Sequence, residues 1–145
     1  MPEFRSRLQT NYPKELGLDL EQHTDSYATN TASVNNPGIY SSSVEISHPA
    51  INRMLQKLGK SAEFEEVDEH YMGNIAGMTV IENFSNKIKV WLRKGLDYVQ
   101  KPFVACHELA HHIVDKYKAF LTHSETEEMC DRISCNELGL AYRPI

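Results

Sequence analysis

His107-Glu108-Leu109-Ala110-His111 is an H-E-x-x-H run, and its residue types and spacing are those of a metal site. Residues four apart share one helix face, so His107 and His111 can bind a single Zn2+ together. Glu108 lies about 100° around the helix from His107, where it can reach a water on the metal. That is the place for a general base. Chance alone produces such a run in roughly one of a few hundred chains of this length, so its surroundings must support it.

A helix around the run is expected. Pro102 suits a first helical position, where its missing N–H costs little. Phe103, Cys106, Ala110, Ile113, Val114 and Tyr117 recur at helical spacing as one apolar stripe. His107 falls about 60° from the centre of that stripe and His111 about 100°, on one flank. The imidazoles would then stand at the edge of a buried face, where a cleft can form. Glu108 lies further round. His112 is nearly opposite the stripe, so it is expected to be solvated or to play a supporting part.

The third ligand must come from elsewhere in the chain. Val114 and Tyr117 stand where a Gly-x-x-His continuation would mark a metzincin, which excludes that class. Gluzincins carry a downstream Glu on a second helix, often with Asp four residues later, and Glu127-Glu128-Met129-Cys130-Asp131 is similar to that pattern. Glu127 would bind the metal. Asp131, one turn on, would accept a hydrogen bond from the N–H of a ligand His and fix its tautomer. Two other readings stand beside this one. Ser124-x-x-Glu127 is a capping box, as is Thr122-x-x-Glu125, so Glu127 could simply cap its own helix. Asp131 and His123 are the alternative ligands. Only fifteen residues separate His111 from Glu127. The first helix should therefore end near Asp115 or Lys116, or the helices should cross steeply, with an irregular connection through 116–123, so that the two come level.

A chain of 145 residues suits one domain with a real core. The net charge is −5, without a basic run or an Arg-rich stripe, so no direct nucleic-acid binding is expected. Neither an N-terminal apolar region nor a membrane-length apolar run is present, which points to a soluble, cytoplasmic protein. The three cysteines make no disulfide framework. Cys130 and Cys135 sit five apart on one expected helix, too distant to bridge, and Cys106 lies on the apolar stripe as a core residue.

Residues 1–48 read as an N-terminal arm and polar loop. Residues 1–20 would form a short helix or arm. The Ser/Thr/Asn-rich stretch 22–43 carries an Asn35-Asn36-Pro37-Gly38 turn signal and could lie across the cleft as a restraint, with Asp25 or His23 as blockers. The catalytic domain would span 49–145. Ser47-His48-Pro49 starts a helix, Ile51, Met54, Leu55 and Leu58 follow at helical spacing, and Gly59 stops it. A second, acidic helix is expected across 63–69. Two alternating runs come next, Met78 to Glu82 and then Ile88, Val90 and Leu92, separated by Asn83-Phe84-Ser85-Asn86 as in a β-hairpin. The motif helix follows, and the Glu127 helix closes near Gly139. The expected fold is α+β: a small antiparallel sheet packed on the zinc-binding helix and a following glutamate helix. A sheet edge, Gly77–Glu82 or Lys87–Leu92, could pair with an extended peptide by strand addition.

Ala105-Cys106-His107-Glu108-Leu109-Ala110-His111-His112 resembles the A-H-E-[LF]-[GA]-H run of ImmA/IrrE-type metallopeptidases. Glu127 to Leu138 resembles their E-x-E-A-N-x-F-A-A-E-L-L run, with Pro144 displaced from their following Pro. Asp131 replaces the Asn, which is closer to other gluzincins, including the CAAX-protease type whose membrane spans are missing here. The resemblance covers residues 76–145 at most. It implies a zincin-like core and a cytosolic endopeptidase with one zinc per chain, acting on a protein or peptide substrate. Many such family members act on a repressor-type regulator. The expected chemistry is hydrolysis by a metal-activated water, with Glu108 as base and His123, Tyr117 or Tyr142 stabilising the oxyanion. The rival expectation is a catalytically silent, zinc-stabilised protein-binding module, its metal closed by His123 or Asp131.

Overall fold

The computed structural model describes residues 41–82 and 84–142. The expected arm, most of the polar loop with its turn and candidate blockers, and Pro144 lie outside them. Along the described chain run β1 (Ser41–Val44), α1 (Pro49–Leu58), β2 (Ser61–Val67), a short α2 (Glu69–Met72), β3 (Gly77–Thr79), β4 (Lys87–Arg93), α3 (Gln100–Val114), a 3-10 segment (Asp115–Phe120) and α4 (His123–Leu138). The fold is α+β.

The four strands form one sheet in the order β1-β2-β4-β3. β2 and β4 are parallel, while β1–β2 and β3–β4 are antiparallel. The sheet is therefore mixed, where an antiparallel one was expected. The cause is the connection from β2 to β4, which crosses over through α2 and β3 and so returns the chain in the same direction. β3 and β4 do form the expected hairpin. β4 lies between β2 and β3, so Lys87–Leu92 is not an edge. β3 is an edge, though it ends at Thr79 rather than Glu82.

Two further expectations change. The acidic stretch 63–69 is mostly strand β2, not helix. Glutamate is a good helix former, but β2 gains ladder partners on both sides, and each of its glutamates finds a partner. Lys87 pairs with Glu63 at 3.0 Å, Ser41 Oγ donates to Glu65 at 2.9 Å, and Lys101 pairs with Glu66 at 2.6 Å. Ser41–Val44, read as the end of a loop, is the outer strand beside β2.

The helices begin and end where local chemistry allows. His48 Nδ1 accepts from the Ala50 N–H at 3.1 Å and Pro49 opens α1. α3 starts two residues before Pro102, because Asp97 and Gln100 cap it reciprocally. Asp97 Oδ1 accepts from Val99 and Gln100 N–H at 2.9 and 2.7 Å, and Gln100 Oε1 accepts from Asp97 N–H at 3.0 Å. Pro102 still falls in the first turn, where no intrahelical N–H partner is needed. α3 stops at Val114 and the chain tightens into the 3-10 segment, as the spacing of His111 and Glu127 requires.

α3 is the centre of the molecule. Phe103, Val104, Ala105, Cys106, Leu109 and Ala110 have no exposed surface, and they pack with Ile88, Val90 and Leu92 of β4 and Ala50, Ile51 and Met54 of α1. A smaller cluster of Val67, Met72, Met78 and Trp91 forms a second apolar group. α4 is tied across α3 by buried Ser134, whose hydroxyl donates to the Phe103 carbonyl at 2.8 Å. Arg53 and Lys57 of α1 hold Glu137 at the same end of α4. No helix among the described residues is long and apolar enough to cross a membrane.

Candidate metal centre

α3 brings His107 and His111 to α4, and the 3-10 connection lets α4 return with Glu127 at their level. Thr122, not Ser124, caps α4. Its hydroxyl accepts from Glu125 N–H at 3.0 Å, and Glu125 Oε1 accepts from Thr122 N–H at 2.8 Å. The capping work is thus done by Glu125, and Glu127 is left to face inward with only 5 % of its surface exposed.

His107 Nε2 lies 3.3 Å from Glu127 Oε1, and His111 Nε2 lies 3.1 Å from Glu127 Oε2. The two imidazoles meet edge to face, with centroids 5.1 Å apart. Behind His107, its Nδ1 lies 2.6 Å from Asp131 Oδ1. That contact commits the Nδ1 proton to Asp131 and turns Nε2 toward Glu127. A neutral imidazole then presents a lone pair to a carboxylate oxygen. Two acceptors face each other, and something positive must lie between them: a second proton or a cation.

The proton solution leaves its mark on both groups. Burial works to lower His107's basicity, but Glu127 and Asp131 outweigh it and hold the imidazole well above its ordinary value. Burial likewise works to raise Glu127, yet His107 and His111 pull its carboxyl well below the usual carboxylate range. A cation is the other solution. Ligand atoms about 2.0–2.1 Å from a tetrahedral zinc stand about 3.3 Å apart, whereas a charge-assisted N–H···O contact closes to about 2.7–2.9 Å. The observed 3.3 Å matches the first spacing, and 3.1 Å falls between the two.

A second grouping has Cys130 in the place of Glu127. Ligand atoms of His107, His111 and Cys130, all buried, lie within 4.8 Å of one another and could hold a metal ion. In the sequence Cys130 stands out only as half of an impossible disulfide. The signal that finds it is helical periodicity, since 127, 130, 131 and 134 share the face that α4 buries. Burial, then Glu127, Asp131 and Glu108, push the Cys130 thiol well above its ordinary value, which disfavours the thiolate that binds metal.

Glu108 is fully buried, and its side chain lies against the Gly77 backbone of β3. Gly77 makes this possible. A Cβ there would stand 3.2 Å from Glu108 Cγ and 3.3 Å from Glu108 Oε2. His112, one turn along, is half-buried rather than fully solvated. Its Nε2 lies 2.7 Å from Thr79 Oγ1 on β3. Burial lowers its pKa to about 4, helped by His111 and Lys60, so it is neutral near pH 7.

The three candidates for oxyanion stabilisation are scattered. His123 is the exposed first residue of α4. Tyr117 is 46 % exposed on the 3-10 segment, with Lys116 over its ring. Tyr142 is buried, with Arg132 stacked 4.6 Å from its ring centroid, and burial beside Glu128 and Asp131 pushes its hydroxyl well up. None of these contacts places them with His107, His111 and Glu127. Comparison with protein-family models, with curated proteins and with solved structures finds no match to this chain.

Proposed function

We propose that the protein is a zinc-dependent endopeptidase in which His107, His111 and Glu127 hold the metal and Glu108 is the general base. The observation that carries this reading is the convergence of both imidazoles on separate oxygens of Glu127, at 3.3 and 3.1 Å, with Asp131 behind His107. Bound zinc would supply a Lewis acid that polarises the scissile carbonyl and activates water near neutral pH. Glu127 is preferred to Cys130 as third ligand because its two oxygens meet both imidazoles, at 3.3 and 3.1 Å. Asp131 holds His107 in the tautomer whose Nε2 can bind metal.

Glu108 would accept the proton of the attacking water and deliver it to the leaving amine. Its carboxylate rests against β3, whose outer edge pairs with no strand among the described residues. An extended peptide added to that edge would run beside Glu108, held by main-chain hydrogen bonds. The substrate class is therefore a protein or peptide in extended form. A repressor-type regulator as the substrate rests on the family resemblance alone, and a cytoplasmic setting rests on it together with the apolar pattern of the sequence.

The test is metal content and turnover measured together on fluorescein-labelled casein. Wild type should carry close to one zinc per chain, and His107→Ala and Glu127→Ala should lose it. Glu108→Gln should keep zinc and lose nearly all hydrolysis. Zinc surviving Glu127→Ala, or substantial turnover by Glu108→Gln, would overturn the assignments.

One observation favours a second reading, a zinc staple without catalysis. Cys130 lies close enough to both histidines to close a four-ligand site. Cobalt substitution separates the two, because a thiolate on cobalt adds near-ultraviolet charge-transfer absorption that Cys130→Ser removes. That band would support the staple, and its absence the open site.

A further inference from the structure

Glu108 and His112 are four residues apart on α3, and Gly77 and Thr79 are two apart on β3. Four helical residues rise about 6 Å and two strand residues span about 6.6 Å, so two level rungs can form between the elements. Both rungs are present. At the first, Glu108 rests on the bare backbone of Gly77. At the second, His112 Nε2 stands 2.7 Å from Thr79 Oγ1, and the same hydroxyl donates to the Lys89 carbonyl of β4, also at 2.7 Å. A hydroxyl has one proton. The carbonyl can only accept, so that proton goes to Lys89 and His112 must donate from Nε2. Thr79 has no exposed surface, so water cannot take over either bond.

We propose that the His112–Thr79–Lys89 chain is a positioning device, which fixes the free edge of β3 against α3 and so sets where a bound peptide lies relative to the Glu108 carboxylate. The inference rests on the peptidase reading above. Packing alone does not explain the chain. A valine has nearly the shape of threonine, and at a fully buried site it brings no hydroxyl to satisfy. What the polar chain adds is direction: it couples the turn of α3 that follows Glu108 to two strands at once. Displacement of a reacting group by about 1 Å can cost on the order of 100-fold in rate, so a small change in this spacing has a large readout.

The experiment uses the zinc-loaded full chain with fluorescein-labelled casein, measuring zinc content, kcat and KM for Thr79→Val and Thr79→Ser. Thr79→Val should retain zinc and lose about 10-fold or more in kcat/KM, chiefly in kcat, while Thr79→Ser recovers most of it. Adding His112→Phe to Thr79→Val should cost little more, because the chain is already cut. If Thr79→Val does not fold, His112→Phe alone carries the same expectation, since it leaves Thr79 bonded to Lys89. Wild-type kcat and KM in Thr79→Val would overturn the inference, as would equal impairment of Thr79→Ser, or loss of zinc. A zinc-loaded wild type that leaves casein intact overturns the peptidase reading itself, and this inference with it.

Discussion

Gly77→Ala separates the packing of α3 on β3 from the chemistry placed there. Gly77 is not among the glycines with positive φ, so its backbone accepts alanine. In open space the change would stabilise the fold by about 0.4–1 kcal/mol, by restricting the unfolded chain. Here the new methyl would stand 2.5 Å from Val104 Cγ1, against a comfortable carbon–carbon distance of about 3.5–4.0 Å. Val104 is fully buried and has no free space to withdraw into. Overpacking of this kind costs about 1–3 kcal/mol, so a net loss of about 1–2 kcal/mol is expected. Val104→Ala alone removes buried methyl groups and leaves a cavity, at about 2 kcal/mol. In the double variant the methyl introduced at position 77 takes space that Val104 Cγ1 vacates. Its cost should fall short of the sum by about 1 kcal/mol or more. The contacts to Glu108 at 3.2 and 3.3 Å remain in the double variant, and the carboxylate must still shift by a few tenths of an ångström. Stability should therefore recover while casein hydrolysis stays low. Urea unfolding of the four chains gives the cycle. A Gly77→Ala chain as stable as wild type, or strict additivity with Val104→Ala, would refute the close approach of β3 to α3. Turnover returning together with stability would refute a separate role for the Gly77–Glu108 contact.

Three further outcomes follow from the same geometry. Asp131→Asn should weaken zinc binding about 10–100-fold in a competitive chelator titration, because the hydrogen bond that orients His107 loses its charge; unchanged affinity would remove Asp131 from the site. Burial tends to raise the Glu137 carboxyl, but Lys57 and Arg53 outweigh it and hold the group below its ordinary 4.5. A depressed carboxyl stabilises the fold above its unfolded pKa, and that stabilisation is lost as pH falls through the folded value. Glu137→Gln should then be less stable than wild type by about 0.5–1 kcal/mol at neutral pH, both cations being more than half exposed, and the gap should close below about pH 4.3 in acid-unfolding curves. All three thiols are buried, and burial pushes Cys106 up to about 12, so Ellman's reagent at pH 8 should find no reactive thiol before denaturant is added; rapid reaction of any in the native protein would contradict this packing.

What can be read from the sequence is what helices make local. His107 and His111 share a face because they are four apart, and Glu127 and Asp131 share one for the same reason. The end of α3 is readable too, as one of two ways, with a steep crossing the other, to bring His111 and Glu127 level over so short a connection. The strands are harder, because partners distant in sequence decide them. Glu63, Glu65 and Glu66 are ordinary helix formers until β1 and β4 flank them. His112 is half-buried for a different reason. A helical wheel built on one apolar stripe assumes one buried face, but the sheet, α1 and α4 surround α3, and its Phe103–His111 stretch is buried on every side. The choice between Thr122 and Ser124 as the cap of α4 also decides whether Glu127 is free, and two overlapping capping boxes in the sequence do not rank themselves.

Glu108 distinguishes a catalytic centre from a metal staple, and its burial makes the distinction measurable. Taking a carboxylate out of water costs several kcal/mol unless its surroundings compensate, and Glu108 is wholly buried beside Val104 and the Gly77 backbone. A zinc that only joins α3 to α4 needs His107, His111 and Glu127, with Asp131 or Cys130 in support, and has no use for a general base. A methionine of similar length would fill the same space without a charge to desolvate. Glu108→Met should therefore be as stable as wild type or more so, by up to about 2 kcal/mol, while keeping zinc and losing hydrolysis. Such a trade of stability for activity is expected where a residue is kept for its chemistry. Thermal unfolding of the zinc-loaded chains, with metal content measured on the same samples, gives the comparison. A destabilised Glu108→Met, or one that sheds zinc, would place the carboxylate in the scaffold and turn the argument toward the staple.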